Sequence, residues 1–205
     1  MTVSLHHLRI ALKNVEPKVQ REVVVPSDLR LDRLHRVLQV VMGWSNAHLH
    51  EFIVGSLRDG ARYGPPQPRD LCLGRGTLNE ARYTLAQIAP GKGHRFHYWY
   101  DFGDDWMHEI AVKAVLADPA EGGAPFCLTA RGACPPEDCG GPWGYAELLE
   151  ILADPQHPEY ADRLDWLGGE FDPALVNIDA INTDLAVLAR SWRARPRTKA
   201  SGTTP

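Results

Sequence analysis

The sequence has 205 residues, 44% of them hydrophobic and 23% charged, with a formal net charge of −4. A chain of this size and balance buries a core without disulfide or metal staples, and its slight acidic excess argues against a protein that coats DNA, which carries a basic surplus. No apolar run reaches the ~18–20 residues that cross a bilayer, and the opening MTVSLHHLRIALKN lacks the charged start and long apolar core of a signal peptide, so the expected setting is cytoplasmic, with no membrane partner.

Residues 4–15 alternate, with Leu8, Ile10 and Leu12 against Arg9, Ala11 and Lys13, which predicts a half-buried strand. Glu16-Pro17 turns the chain, and residues 19–25 return as a second strand of the same hairpin. Ser27 or Asp28 is the expected cap of a helix with Leu31, Leu34, Val37, Leu38 and Val41 on one face and Gly43 at its end. Residues 48–54 alternate again as a third strand. Residues 56–76 are a loop rich in glycine, proline and arginine, and 78–88 carry a weak helical pattern. HRFHYWY (94–100) and residues 106–116 pair as a hairpin across the turn 101–105, with Trp106, His108, Ile110 and Val112 on one face. Residues 126–128 are a short apolar stretch, and GACPPEDCGGP (132–142) fits neither helix nor interior strand. Helices follow over 144–153 and 159–167, and a last one is capped by Asp172 with Pro173 at its first position. Its expected buried side is Leu175, Ile178, Ile181, Leu185 and Leu188. The sum is an α+β fold: an antiparallel sheet of hairpins with helices packed on it and further helices at the C-terminus. Residues 4–190 read as one domain and 191–205 as a disordered polar tail.

Two segments concentrate chemistry. YDFGDDWMHE (100–109) gathers Asp101, Asp104, Asp105 and Glu109 with His108, ligand types that suit divalent cations. The same aspartates also suit a tight turn, because their side chains bond nearby backbone N–H groups and tolerate left-handed dihedrals. The second segment runs from Cys127 to Cys139. Cys134 and Cys139, separated by four residues, form a candidate zinc site with Cys127 and His108; equally, cysteines serve as small buried apolar residues. A thiol nucleophile at Cys134 or Cys139 would need a base such as His108 or His157. Cys72 has no neighbouring partner and reads as structural, and His35 on the first helix reads as exposed. The sequence holds no P-loop, no dinucleotide fingerprint, no zincin helix and no nucleophile elbow.

YDFGDDWMHEI, ACPPEDCGGPWGY, LDWLGGEFDPALVNIDAIN and the earlier LHRVLQVVMGWSNAHLHEFIVG resemble, in order and over about residues 4–190, the plasmid pRiA4b ORF-3-like family. The resemblance implies a compact α+β fold with an antiparallel sheet. It also implies a setting beside mobile elements, since some members are known as insertion-sequence passenger proteins with the label TnpR. The motif positions are Tyr100, Asp101, Phe102, Gly103, Asp104, Trp106 and His108, then Pro135, Pro136, Glu137, Asp138, Gly140, Gly141 and Tyr145, then Trp166, Phe171, Asp172 and Pro173. No recombinase chemistry accompanies the label. Ser4 lacks a resolvase's arginine cluster, and the last tyrosine, Tyr160, lacks a tyrosine recombinase's arginine set.

The primary functional expectation is a non-catalytic binding or accessory module with a protein or nucleic-acid partner. Its candidate phosphate-contacting patch is the loop with Arg58, Arg62, Arg69, Arg75 and Arg82. The alternative is a metal-dependent hydrolase in which zinc or another divalent metal is held by Asp101, Asp104, Asp105, Glu137 and Asp138, with His108 as base or ligand. A further reading makes both motifs fold-specifying turns. The candidate polar site is therefore Tyr100, Asp101, Asp104, Asp105, His108, Glu137, Asp138 and Tyr145, and it requires the two loops to converge in space.

Overall fold

The computed structural model describes residues 4–66, 76–117 and 123–192. Period-two burial defines the first hairpin. Strand β1 (Ser4–Leu12) buries Leu8, Ile10 and Leu12, and β2 (Gln20–Pro26) buries Arg21, Val23 and Val25. Helix α1 (Leu31–Met42) buries Leu31, Leu34, Val37, Leu38 and Val41 and stops at Gly43, whose φ of 86° is left-handed. The helix begins after Arg30 with no side-chain cap. Ser27, one of the two expected caps, instead bonds His6 (2.7 Å) and Ser4 (2.8 Å) behind the strand.

Strand β3 (His50–Val54) starts later than its alternation suggests, because His48 belongs to the preceding turn. Strands β4 (Ala61–Gly64) and β5 (Leu78–Asn79) follow. The stretch 78–88 is not one helix. The Asn79 side chain accepts from the Ala81 N–H and starts a 3-10 turn (Glu80–Arg82), Tyr83 is extended, and α2 (Leu85–Ile88) restarts with Gln87 accepting from the Thr84 N–H. Strands β6 (Arg95–Tyr100) and β7 (Trp106–Ala117) form the expected hairpin, and β8 (Phe126–Arg131) follows. The C-terminal helices are α3 (Gly141–Ala153), α4 (Tyr160–Leu167) and α5 (Ile178–Trp192).

The strands make one sheet in the order β5-β4-β3-β6-β7-β1-β2-β8, antiparallel at every step except β4–β5. One face packs Phe96, Tyr98, Tyr100, Trp106 and Ile110 into a continuous core with the apolar side of α1. Charge pairs line other strand positions: Arg62 meets Glu51 at 2.6 Å and Arg95 meets Glu109 at 2.7 Å. The Arg95–Glu109 pair, with Arg95 exposed, adds little stability, whereas Arg62 and Glu51 are largely shielded from solvent. At the β8 edge the Asn182 amide accepts from the Cys127 N–H (2.8 Å) and donates to its carbonyl (3.0 Å). One side chain of α5 thus occupies hydrogen-bonding groups that an open edge would offer to another chain.

Further expectations are corrected. His35 is buried, since it sits four residues after Leu31 and three before Leu38 on the inward face. Asp172 does not cap the last helix: its carboxylate serves the Ala174 N–H, and Asn177 accepts from Ala180 at the start of α5. On α5 only Leu185 is fully buried, while Ile178, Ile181 and Leu188 are half-buried and Leu175, ahead of the helix, is exposed. The helix also runs to Trp192, into the stretch assigned to a tail; the remaining tail residues, Cys72, Arg69 and Arg75 lie outside the described residues. Among the described residues no helix is long and apolar enough to cross a membrane.

Arg21 is the most polar occupant of the core, 2% exposed. Its guanidinium donates to the carbonyls of Val41 (2.7 Å), Gln20 (2.8 Å) and Arg131 (2.9 Å), tying the end of α1 to β2 and β8. The C-terminal carbonyls of a helix carry partial negative charge, which favours a cation there. Substituting Arg21→Met keeps the apolar stem but leaves these buried carbonyls without their donor. The expected loss is about 2–4 kcal/mol of unfolding free energy, read as a lower urea midpoint at pH 7.

Candidate functional site

Three segments distant in sequence meet at one end of the sheet: the turn between α1 and β3 (residues 43–49), the β6–β7 turn (101–105) and the double-proline loop (133–140). Glu137 joins them. One carboxylate oxygen accepts from the Ser45 N–H (2.8 Å) and hydroxyl (2.5 Å), and the other accepts from the Tyr100 phenol (2.5 Å). Burial pushes the Glu137 pKa up, but the bonds from Ser45 and Tyr100 outweigh it and hold the carboxyl below its usual value. Burial and the carboxylate beside it push the Tyr100 phenol up, so that it stays a donor. Trp44 adds a second tie, its indole N–H donating to the Pro135 carbonyl at 3.0 Å.

The acidic turn docks against the same loop. Asp104 accepts from the Gly140 N–H at 3.3 Å. Gly141 sits so close that a Cβ there would lie 2.3 Å from the Asp104 carbonyl oxygen, and its φ of 69° is left-handed. Asp101 and Asp138 are left-handed as well, with φ of 54° and 60°. One Asp101 oxygen, Oδ1, accepts from the Gly103 and Asp104 N–H groups (3.0 and 3.4 Å), the local turn bonding that aspartate favours. Its other oxygen, Oδ2, lies 3.5 Å from His48 Nδ1. The opposite ring nitrogen, His48 Nε2, lies 3.2 Å from Asp138 Oδ1, yet off hydrogen-bonding alignment, so this buried atom has no bonded partner.

His48, Asp101 and Asp138 therefore present ligand atoms within 4.8 Å of one another, and they are the one such trio among the described residues. Asp101 and Asp138 were legible in the acidic and PPED motifs; His48 was not, because its segment read only as turn and strand. Asp104 and Glu137 are near but occupied by backbone and hydroxyl donors. Asp105 is exposed and outside the trio. Tyr145 is buried beneath the loop with its hydroxyl unpartnered among the described residues, and burial pushes that group up to about 12.

The cysteine site does not assemble. No three of Cys127, Cys134, Cys139 and His108 bring ligand atoms within 4.8 Å of one another. Burial pushes all three thiols up, Cys139 to about 12, which disfavours the thiolate that zinc requires. Nor does His108 reach the acidic turn: it points into the core, donates from Nδ1 to the Tyr98 carbonyl (3.1 Å) and is pulled down by burial to about 4. Of the five loop arginines, Arg58 and Arg82 are exposed, and Arg69 and Arg75 lie outside the described residues. Arg62 is bound to Glu51 and to the Leu57 carbonyl and stacks on Trp99.

Beside the trio, and sharing His48 with it, opens a cleft of about 540 Å³. Its inner wall is a histidine pair. His35 and His50 stack with ring centroids 3.5 Å apart and planes 2° from parallel. His50 donates to Glu80 (2.8 Å), and His35 is held between Tyr98 and Asn46. Burial, then the neighbouring His50, pulls His35 down to about 3.

A family model described as "plasmid pRiA4b ORF-3-like protein" matches residues 4–180. Over 202 residues the chain is 43% identical to the uncharacterized protein y4hQ of Sinorhizobium fredii (strain NBRC 101917 / NGR234), covering 97% of this chain and all of that one. The fold is similar to the crystal structure of MM3350, a protein of unknown function from Methanosarcina mazei Go1. That similarity has a TM-score of 0.74 at 31% identity and covers 87% of this chain and 98% of that one.

Two outcomes are expected from this geometry. The Gly141→Ala variant combines a left-handed residue with a backbone clash, so it loses about 2 kcal/mol or more of stability in urea unfolding. Gly91→Ala, whose added Cβ meets nothing nearer than 3.9 Å, serves as the near-neutral control. The second outcome concerns pH. His35 and His108 have folded-state pKa values depressed below the ordinary 6.5. Below 6.5 the unfolded chain therefore binds more protons than the folded one, and stability falls as pH drops from 6.5 toward about 4. At pH 5 the loss reaches about 2 kcal/mol per histidine relative to pH 7, and His108→Asn flattens the slope measured by urea midpoints.

Proposed function

The chain belongs to the plasmid pRiA4b ORF-3-like family, and we propose that it is a binding module whose ligand site is a divalent-cation centre at His48, Asp101 and Asp138. The supporting observation is the convergence of those three ligand groups from three separate segments, around a buried ring nitrogen that has no hydrogen-bond partner. One imidazole and two carboxylates suit a first-row divalent ion such as manganese or zinc better than calcium, which takes six to eight oxygens. Three protein ligands leave the remaining positions to water or to a bound group. The family's plasmid description supports placing this module beside mobile-element proteins as an accessory component.

A second reading, metal-dependent hydrolysis, is favoured by one feature: the trio shares His48 with the adjacent cleft, so a cation there would stand beside any occupant. A cation lowers the pKa of bound water and supplies a nucleophile near neutrality. In this reading Glu137 and Asp104 are positioning residues: both Glu137 oxygens serve Ser45 and Tyr100, one Asp104 oxygen serves Gly140, and neither residue belongs to the convergent trio.

Calorimetric titration with manganese, zinc and magnesium checks the cation. Manganese or zinc is expected to bind more tightly than magnesium. Asp138→Asn, an exposed position, is expected to weaken binding about tenfold or more, a difference of at least about 1.4 kcal/mol, with unchanged unfolding of the metal-free protein. Absence of binding, or equal affinity in the wild type, Asp138→Asn and His48→Gln, rejects the site.

A further inference from the structure

We propose that the cleft beside the cation trio receives a small phosphate ester. The inference deepens the reading above and rests on it only for the cation next to the phosphate. One wall of the cleft is the start of α1, where Arg33 and Arg36, three residues apart, stand on successive turns and Arg30 immediately precedes the helix. The same cleft is lined by His48, from the turn before β3, and by His50, the first residue of β3.

The charges in the lining do not cancel. Its two carboxylates each already have a partner: Asp32 takes both forks of Arg30 (3.0 and 2.7 Å), and Glu80 takes His50 (2.8 Å). Two guanidiniums have no carboxylate. Arg33 lies over the Trp192 ring at 5.2 Å, a contact that leaves its N–H groups available, and Arg36 is exposed with no hydrogen bond or ion pair among the described residues. His35 adds no charge near neutrality, because burial holds it down at about 3. Each of two adjacent planar guanidinium forks can offer a pair of N–H donors to two oxygens of a tetrahedral phosphate.

Size and lining select an ester over the bare ion. Small-molecule sites hold roughly 300–1,000 Å³, and a cleft of about 540 Å³ exceeds what one phosphate fills. The rest of its wall mixes Asn46 with Leu49, Pro65 and Trp192, giving an organic residue both a hydrogen-bonding side and an apolar side. A nucleic-acid duplex presents its phosphates on a broad convex surface and does not enter such a concavity.

The test is calorimetric titration of the full chain with ribose 5-phosphate, inorganic phosphate and ribose, each with manganese and with chelator. Ribose 5-phosphate is expected to bind, ribose is not, and the affinity falls with added salt. Arg33→Gln/Arg36→Gln is expected to weaken the ester about tenfold or more, while Arg36→Lys, which keeps the charge and loses the fork, weakens it less. Far-UV circular dichroism verifies that the variants are folded. Equal affinity in wild type and the double glutamine variant, or equal binding of ribose, overturns the proposal. Tighter binding of inorganic phosphate than of the ester overturns the ester in favour of the free anion. Binding that survives chelator and Asp138→Asn but is lost in the arginine variants supports the cleft and removes the cation; cation binding without any ester binding keeps the cation and overturns the cleft.

Discussion

The carboxylate of Glu137 fixes the relation between the three segments that make the site. Residues 45, 100 and 137 are far apart along the chain, yet one side chain accepts from all the donors that Ser45 and Tyr100 offer it. Such a charged acceptor holds its donors more firmly than a neutral one would. The bond from Tyr100 comes from the end of β6, a strand paired on both sides, so the loop is referenced to the rigid sheet. Trp44 and Gly141 complete the arrangement, one by donating to the loop backbone and the other by having no Cβ to block the acidic turn. Asp138 follows Glu137 directly, so the clamp that orders the loop also delivers Asp138 to His48.

A division of labour among the carboxylates follows. Glu137 and Asp104 hold backbone and hydroxyl donors, and half of Asp101 does the same. What is left facing His48 is one oxygen of Asp101 and the exposed Asp138. The acidic motif is thus mainly architecture, with a remainder that is available for ligation. In the cleft the carboxylates are engaged too, Asp32 by Arg30 and Glu80 by a hydrogen bond from His50, and the guanidiniums of Arg33 and Arg36 have no carboxylate partner among the described residues. An open anionic trio beside an open cationic wall, sharing His48, is electrostatically suited to a metal and an oxyanion together.

Much of this was legible in the sequence where one rule governed the outcome. Period-two burial gave the β1–β2 and β6–β7 hairpins, and the spacing of Leu31, Leu34, Leu38 and Val41 gave α1. The FGDD and PPED segments stood out because aspartate, glycine and proline at that density fit neither helix nor strand. Illegible were the features that need tertiary pairing. His35 looked exposed because a search for apolar spacing passes over a histidine at an inward position, although its offsets from Leu31 and Leu38 place it there. His50 meets His35 and Glu80 only once β3 lies beside β6 and the 3-10 turn folds back. His48 read as the first residue of a strand over 48–54, and nothing local distinguishes a ligand from a strand-end residue.

The cysteines show why residue type alone misled. Zinc binding needs a thiolate, and a thiolate needs a partner that offsets its burial. Arg21 stands nearby and draws Cys127 and Cys134 downward, but burial outweighs it at both thiols. The guanidinium is already surrounded by the carbonyls of Gln20, Val41 and Arg131, which satisfy its donors without any anion. Closing a metal site would require deprotonating thiols that the core holds neutral and pulling their backbones together against the Glu137 clamp. The trio at His48 faces neither obstacle: its groups are already convergent, and Asp138 lies open to solvent. The convergent ligand groups therefore lie at the rim of the sheet, on left-handed aspartates, and not among the thiols beneath it.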